Sequence, residues 1–299
     1  MKRKKIRFII SSWLMMLMLL IASVDNLQGQ QVEGGAGLGI LLYWGDLTPK
    51  DPVEGLSNAR GGGQFFLRSE ISSKVDIRFN LMIGKLNGDD RKSSNPSMMQ
   101  RNLRFHSWIT ELSILGEYTF LSFDLPEYQD GLSFYLTTGV SALYFNPKTD
   151  YQGNTYALQP LGTEGQGMEG FPDKYNRISM ALPFGGGMKI RLTERLTLNP
   201  EIIGRVTFTD YLDDVSGSYV NYTELLNGNG EIAAALGNRQ GEFLGQSEPV
   251  ITATGAVRGG PNSDDFYWVG MINFTYLLSE DGSIFSRGKK KYNSDCPTF

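Results

Sequence analysis

Hydrophobic and polar residues alternate at every second position in the segment from Lys74 to Lys85. Its apolar positions are Val75, Ile77, Phe79, Leu81 and Ile83, and its polar positions include Asp76, Arg78 and Asn80. Residues two apart share a face of a β-strand, so this segment predicts a strand with one apolar face and one charged face. A strand of a soluble β-sandwich would alternate in the same way, so one such segment does not decide between architectures.

Seven further segments carry a similar pattern. Four are clear, at residues 108–120, 178–192, 195–208 and 266–276, and three are weaker, at residues 32–44, 59–69 and 132–145. The total is eight candidate strands of about ten residues or more, which is the length that a tilted transmembrane strand needs.

The connections between these segments alternate between short and long. The short ones lie at residues 71–73, at 122–131 with Pro126 as a breaker, and at Thr193–Glu194; the long ones cover 45–58, 87–102, 146–177 and 210–265. Outer-membrane barrels have tight periplasmic turns and extended external loops, whereas a sandwich has no reason to alternate in this way. The predicted fold is therefore all-β: an eight-stranded antiparallel up-and-down transmembrane β-barrel over residues 31–278. In the last long loop, residues 223–226 and 231–236 have helical character, broken at 227–230.

The N-terminus has the features of a secretory signal peptide. Five basic residues between Lys2 and Arg7 precede an apolar run from Trp13 to Ala22 and a polar exit. That run is too short for a membrane helix, which needs roughly 20 residues, and no second long apolar run follows. We expect residues 1–30 to be cleaved and the mature chain to reach the outer membrane, with both termini in the periplasm. Removing five basic residues and one acidic residue changes the formal net charge from −4 to about −8, which argues against a nucleic-acid partner.

The polar face of the predicted strands is rich in charges of both signs. The inward positions are Arg68, Asp76, Arg78, Glu111, Glu117, Lys189, Arg191, Glu201 and Arg205. An eight-stranded barrel has an interior just wide enough for side chains, and unpaired charges there would be costly. We therefore expect salt bridges that close the lumen; a proton or ion path is the alternative interpretation.

Two sets of residues are candidate chemical sites. His106 is the only histidine, and small barrels with lipid-hydrolysing activity use a histidine near the outer rim. His106 is an even number of residues from Leu112 and Ile114, so it shares their lipid-facing side of the predicted strand. This position favours an interfacial residue over a general base. Asp210, Asp213 and Asp214 could supply oxygen ligands to calcium, although acidic residues in a solvated loop are commoner. We predict no enzymatic activity, cofactor or metal.

The chain continues past the last predicted strand as a tail, residues 279–299. It contains Arg287, Lys289, Lys290, Lys291 and Cys296. Because the last strand descends, this tail is expected in the periplasm. It is either a disordered basic end or a docking segment for an acidic or ring-forming partner.

Several short motifs resemble a known family. The opening strand ends in Tyr43-Trp44-Gly45-Asp46-Leu47, and residues 209–216 read Thr-Asp-Tyr-Leu-Asp-Asp-Val-Ser with Tyr219 after them. Arg258-Gly259, Asp265-Phe266-Tyr267 and the terminal Cys296-Pro297-Thr298-Phe299 also fit. Together they resemble an outer-membrane barrel family of the Bacteroidota that includes PorG of the type IX secretion system. The signature residues in the last loop are Asp210, Tyr211, Asp213, Asp214, Ser216 and Tyr219.

The resemblance implies a barrel that contacts outer-membrane lipid and the periplasmic ring proteins of a secretion system, without catalysis. Two functions follow as expectations. One is a structural component of the type IX secretion apparatus that links this ring to the outer membrane. The other is a stand-alone surface barrel that binds ligand or cells through its external loops.

Overall fold

A closed ring of β-strands forms the body of the molecule. The computed structural model describes residues 31–279 except 50, 127, 247, 261 and 262, so the predicted signal peptide and the tail residues 280–299 lie outside the described residues. The strands are β1 (Val32–Trp44), β2 (Arg60–Ser72), β3 (Val75–Asp89), β4 (Arg104–Leu125), β5 (Tyr128–Phe145), β6 (Lys148–Tyr151), β7 (Asn154–Ala157), β8 (Ile178–Arg191), β9 (Leu196–Thr207) and β10 (Phe266–Ser279).

Eight of these strands make the ring. Their order is β1, β2, β3, β4, β5, β8, β9 and β10, and the pairing of β10 with β1 closes the circle. Every neighbouring pair is antiparallel. The short β6–β7 hairpin stands apart from the ring and touches β4 through the pairing of His106 with Lys148. The predicted eight-stranded up-and-down barrel is confirmed.

The β4–β5 connection is shorter than the sequence predicts. We expected residues 122–131 to be a turn, but β4 continues to Leu125 and β5 begins at Tyr128. Register shifts between Thr119 and Leu121, and again between Phe123 and Leu125, let the two strands stay paired while the alternation of side chains is interrupted. The prediction was wrong because it required an unbroken period of two.

Glycines on the inner face of the barrel make room for larger side chains that project from other strands. An added Cβ at Gly84 would lie 2.5 Å from the Cδ2 atom of Leu41, and one at Gly37 would lie 1.9 Å from the Oδ1 atom of Asn273. Glycine at these inward positions therefore leaves room for Leu41 and Asn273 in a barrel whose lumen holds only side chains.

The long connections all lie at one end of the barrel, which we call the loop end; the short turns and both termini of the ring lie at the turn end. The helices in the long connections are α1 (Pro52–Leu56), α2 (Pro96–Arg101), α3 (Leu158–Leu161), α4 (Tyr222–Asn229), α5 (Glu231–Gly237) and α6 (Gln240–Phe243). The helical break predicted at residues 227–230 is narrower than expected, because α4 runs to Asn229 and only Gly230, with φ of 90°, separates it from α5.

These connections pack into a folded cap over the barrel. One apolar cluster begins in the loop-end half of the lumen, with Leu41, Met82 and Ile109, and continues into the cap. Its cap members are Leu47, Leu103, Leu158, Leu212, Val215 and Leu236. The cap therefore shares a hydrophobic core with the barrel, which fixes its position relative to the strands.

Candidate functional site

The turn-end half of the lumen is filled by an ion-pair network. Nη1 of Arg78 lies 2.8 Å from Oε2 of Glu201, and Nη1 of Arg68 lies 2.8 Å from Oε2 of Glu33. Glu117 lies between them, with one oxygen 2.9 Å from Nε of Arg68 and the other 3.2 Å from Nε of Arg78. Lys189 pairs with Asp76 and lies 3.5 Å from Glu117.

Neutral side chains complete this network. Gln64 donates to Glu201 at 2.6 Å, and the hydroxyl of Tyr135 donates to the same carboxylate at 2.7 Å. Arg78 has no exposed surface, and its single positive charge is balanced inside the protein by the carboxylates of Glu117 and Glu201. Buried charges are tolerated only when paired and hydrogen-bonded in this way.

A second ion-pair site, smaller than the network above, lies nearer the loop end. Nε of Arg205 lies 3.4 Å from the carboxylate of Glu111, which also accepts hydrogen bonds from Ser113 at 2.7 Å and from Tyr267. Above it begins the apolar cluster that leads into the cap. The described part of the lumen is therefore occupied along its length, first by ion pairs and then by apolar side chains.

The structure places eight of the nine predicted lumen charges in these networks. Arg191 is the exception, since its side chain is exposed at the turn end. There it lines a polar vestibule of about 280 Å³, together with Glu33, Arg68, Asp76 and Lys189. Sequence reasoning missed Glu33, which lies in a glycine-rich strand of weak alternation. The signal that could have found it is its position opposite Arg68 in the β1–β2 register.

The outer surface of the barrel is apolar. Leu38, Phe65 and Ile202 are each more than 60 % exposed although they lie in the middle of paired strands. Aromatic residues mark both ends of this surface: Trp44, Trp108, Tyr144, Phe266 and Trp268 near the loop end, and Tyr118, Phe120, Phe123 and Tyr276 near the turn end. An apolar exterior with aromatic girdles and a charged interior is the arrangement of a protein whose strands face lipid.

The loop signature lies in the centre of the cap. The hydroxyl of Tyr43 lies 2.7 Å from Oδ2 of Asp213 and 2.8 Å from Oδ1 of Asp265. The remaining oxygens of the two carboxylates accept hydrogen bonds from the backbone N–H groups of Val215 and Leu212. All three side chains are almost completely buried, and burial raises the pKa of both Asp213 and Asp265 well above its usual range.

Asp214 faces a different set of partners. Its carboxylate accepts hydrogen bonds from Thr163 at 2.5 Å and from Tyr175 at 2.7 Å. The Tyr175 ring stacks on Tyr211 with centroids 4.5 Å apart. Burial raises the pKa of Asp214 to about 6. The expectation of acidic residues in a solvated loop is therefore wrong for Asp213 and Asp214, because the shared apolar core draws this segment inward.

The other signature residues are held by the same region. Ser216 donates its backbone N–H to Glu164 at 3.1 Å, and Glu164 is paired with Arg258 at 2.8 Å. Tyr219 is buried at its ring. Asp210 is only half-buried, and burial raises its pKa to about 7.

The structure places His106 and the aspartates of the loop signature, the two candidate chemical sites, away from each other and among different partners. His106 lies on the outward face of β4, in register with Asn87 of β3 and Lys148 of β6. Asp213 and Asp214 point to separate partners, and the described ranges contain no group of three or more His, Cys, Asp or Glu side chains arranged to hold a metal ion. Arg287, Lys289, Lys290, Lys291 and Cys296 lie outside the described residues.

Of the helices in the described residues, none has the length and hydrophobicity needed to cross a membrane. The ring of eight strands, its apolar exterior and its closed charged lumen define a transmembrane β-barrel. This chain belongs to the family described as a domain of unknown function, DUF6089, whose model matches residues 12–233.

Comparison with solved structures returns small outer-membrane barrels. Neisserial surface protein A matches with a TM-score of 0.39 and 9 % identity, over 85 % of this chain and 99 % of that one. Ail, the attachment invasion locus protein of Yersinia pestis, matches with a TM-score of 0.38 and 9 % identity, over 84 % and 99 %. The N-terminal barrel domain of OprF from Pseudomonas aeruginosa matches with a TM-score of 0.34 and 10 % identity, over 83 % and 100 %. The closed pairing of this chain's own strands defines the eight-stranded barrel. No curated protein matches the chain.

Proposed function

We propose that this chain is an exported outer-membrane protein. The signal-peptide pattern at residues 1–30 and the apolar, aromatic-edged exterior of the barrel support this location. Barrels of this class keep short turns in the periplasm and long loops outside. The turn end, with both chain termini, then faces the periplasm, and the cap faces the exterior.

Within that location we propose a non-enzymatic structural role in the type IX secretion apparatus, as the barrel that links its periplasmic ring to the outer membrane. The observation that carries this proposal is that the motifs resembling the secretion family converge in space. Tyr43 from the opening motif, Asp213 from the loop signature and Asp265 from the last motif share one buried hydrogen-bond cluster. Arg258 donates to the backbone oxygen of Asp214 at 2.9 Å in the same region.

The filled lumen supports a structural role over transport through the barrel. A solute would have to displace both the Arg78–Glu201 and Arg205–Glu111 pairs and the apolar cluster above them. Function then belongs to the two ends of the molecule, where the cap and the periplasmic tail lie. A catalytic role for His106 is tested by His106→Ala, which we expect to leave secretion and surface phenotypes unchanged.

A stand-alone surface barrel is the second candidate. A groove of about 320 Å³ on the cap favours it, lined by Met98 and Arg101 of α2, Gln240 of α6, and Tyr219 and Val257. Val257 is 82 % exposed, which is unusual for a large apolar residue and is typical of a contact surface.

Deletion of Gly282 to Phe299 separates the two candidates. Cells whose only copy lacks this tail should insert the barrel normally but lose secretion of type IX cargo. A version that carries Val257→Asp, with the tail intact, serves as the matched control and should secrete normally. Normal secretion by the tail deletion, combined with a loss of surface binding in Val257→Asp, would reverse the assignment.

A further inference from the structure

Three basic residues at the loop end form a group that we call the cation row: Lys85 of β3, Lys148 of β6 and Arg177, which directly precedes β8. Within the described residues, none of the three makes an ion pair or a hydrogen bond to a protein oxygen through its side chain. The other lysines and arginines that the structure describes at this end do have oxygen partners: Arg60, Arg91, Lys92, Arg101, Arg104, Lys174, Arg239 and Arg258.

Lys85 and Lys148 flank His106 on the outer face of the barrel. His106 is in register with Lys148 of β6 on one side and with Asn87 of β3 on the other. Lys85 lies two residues before Asn87 on the same face, so it is diagonal to His106. Diagonal neighbours in an antiparallel pair lie roughly 7–8 Å apart, which is within reach of a lysine side chain. The two ammonium groups and the imidazole can therefore contact one group that lies between them.

Arg177 extends the cation row around the barrel. Its backbone oxygen accepts a hydrogen bond from the N–H of Phe145 at 3.0 Å, which fixes it beside the end of β5. Its guanidinium lies 5.8 Å from the ring centroid of Tyr144, an outward-facing residue that is 43 % exposed. The cation row therefore follows the outer rim of the barrel from β3 to the start of β8.

The cation row lies at the height of the loop-end aromatic girdle. Lys85 is in register with Trp108, and Arg177 lies over Tyr144; both aromatic residues belong to that girdle. The outward-facing residue before Lys85 on β3, towards the middle of the barrel, is the exposed Ile83. Since aromatic girdles mark the level of the lipid headgroups, the cation row meets headgroups and not acyl chains.

The carboxylates in this region are engaged elsewhere. Asp150 of the β6–β7 hairpin accepts a hydrogen bond from Thr155 at 2.6 Å, and Glu242 pairs with Arg104 and Arg239. All three members of the cation row are half-buried. A charge that is partly removed from water needs a counter-charge, and here the surroundings must supply it as an anion.

We propose that the cation row, together with His106, binds the phosphate groups of a lipid headgroup in the outer leaflet of the outer membrane. This inference rests on the location and orientation proposed above, in which the loop end faces the exterior. The outer leaflet of such membranes is built on lipid A, a phosphorylated glycolipid. Lysine and arginine bind phosphate oxygens through charge-assisted hydrogen bonds, and a neutral imidazole can donate one more.

The test uses the purified full-length mature chain in detergent micelles, with phosphorylated lipid A and its dephosphorylated counterpart as probes. Native mass spectrometry measures the affinity for each lipid. We expect phosphorylated lipid A to bind at least tenfold more tightly, because each basic residue near an anionic lipid surface typically strengthens binding about fivefold. Equal affinity for the two lipids would overturn the inference.

Neutralising the cation row tests whether these residues are the ones that bind. The combined variant Lys85→Gln, Lys148→Gln and Arg177→Gln should lose the preference for phosphorylated lipid A. Retention of the full preference would overturn the site. Heat-modifiable migration on gels verifies that the variant folds.

A second triple variant is the matched control for net charge. Lys74→Gln, Lys92→Gln and Lys174→Gln remove the same charge from exposed lysines outside the cation row. This variant should keep the preference for phosphorylated lipid A. An equal loss in both triple variants would show a general effect of charge and would overturn the site.

Two competitors define the ligand. Millimolar inorganic phosphate should not displace lipid A, because a free phosphate lacks the acyl chains that hold the lipid against the apolar barrel. Displacement would point to a soluble phosphate ligand and overturn a lipid site. Phosphatidylglycerol, which carries one negative charge, should compete less well than lipid A. Equal competition would show attraction to any anionic lipid and overturn recognition of lipid A.

The outcomes also separate this inference from the proposed secretion role. A neutralised variant that loses lipid A but still recovers ring proteins supports both. Equal affinity of the natural chain for the two lipids, with ring proteins recovered, would overturn the lipid site alone. Preference for phosphorylated lipid A by a chain that recovers no ring proteins supports the lipid site and contradicts the secretion role alone.

Discussion

Tyr43 and Asp213 are 170 residues apart in the chain and are joined by a buried hydrogen bond of 2.7 Å. The same phenol oxygen lies 2.8 Å from a carboxylate oxygen of Asp265. A hydroxyl has a single hydrogen to donate, so satisfying both contacts requires a proton on one of the two carboxyl groups. The junction of the first strand, the loop signature and the last strand is therefore a proton-sharing cluster.

Cap stability should consequently depend on pH. Burial raises the pKa of Asp213 and Asp265 well above the unfolded value, so their contribution is fully present at acidic pH and is lost as pH rises through the folded pKa values. The facing charges are Asp46 and Asp210, which disfavour ionisation, and Arg101, which favours it. Hydrogen exchange in residues 208–220 should accelerate with pH beyond its intrinsic dependence. Asp213→Asn, which cannot ionise, should flatten this profile; an unchanged profile would contradict a shared proton.

Removing the phenol hydroxyl should loosen the cap. Tyr43→Phe leaves two buried carboxyl groups without their common partner, and such a loss typically costs about 1–3 kcal/mol in the free energy of unfolding. Tyr118→Phe, on the exposed outer face, is the matched control and should change stability by less than about 0.5 kcal/mol. Urea unfolding from lipid vesicles measures both. Equal effects of the two substitutions would argue against the cluster as a stabilising junction.

We expect the lumen network to tolerate the loss of both charges of an ion pair better than the loss of one charge alone. Arg78→Met leaves Glu201 and Glu117 short of a cation, and breaking a buried pair in this way costs about 3–5 kcal/mol. Adding Glu201→Gln should restore part of that loss, since one uncompensated charge is removed. Unfolding free energies of the two single variants and the double variant form the required cycle. A double variant less stable than Arg78→Met alone would show that Glu201 is held by other groups.

The barrel should not conduct ions. Its lumen is occupied by the ion pairs of Arg78 and Arg205 and by the apolar cluster that continues into the cap. We expect planar bilayers that contain the purified protein to show baseline current, also after deletion of the cap segment 215–255, because the ion pairs remain. Steady single-channel steps in the intact protein would contradict the closed lumen and favour the ion-path alternative.

The sequence was sufficient to predict the barrel because its signal is local and repeated. Alternation assigns each residue to a face, and connection length separates the barrel from a sandwich. The same rule placed Arg78, Glu117 and Glu201 inside without any knowledge of their partners. The β4–β5 hairpin was misjudged because bulges near Thr119 and Phe123 break the period on which the rule depends.

The cap could not be predicted in the same way. Its core joins residues far apart in the chain, such as Leu47, Leu158 and Leu236, and no periodicity connects them. The aspartates of the loop signature looked like solvated acids because charge alone does not reveal burial. Among the sequence features, only the motifs of the family resemblance include Tyr43, Asp213 and Asp265 together. Their contact is a property of the three-dimensional structure that the motifs do not reveal.

Recovery of periplasmic ring proteins with this chain is the most direct test of the central claim. The tagged full-length protein and a version lacking residues 282–299 would be purified from outer membranes and their partners quantified by mass spectrometry. We predict that the full chain recovers periplasmic ring proteins of the secretion system, and that the shortened chain inserts but recovers none of them. Ring proteins absent from both samples, with each barrel correctly folded, would contradict the secretion role.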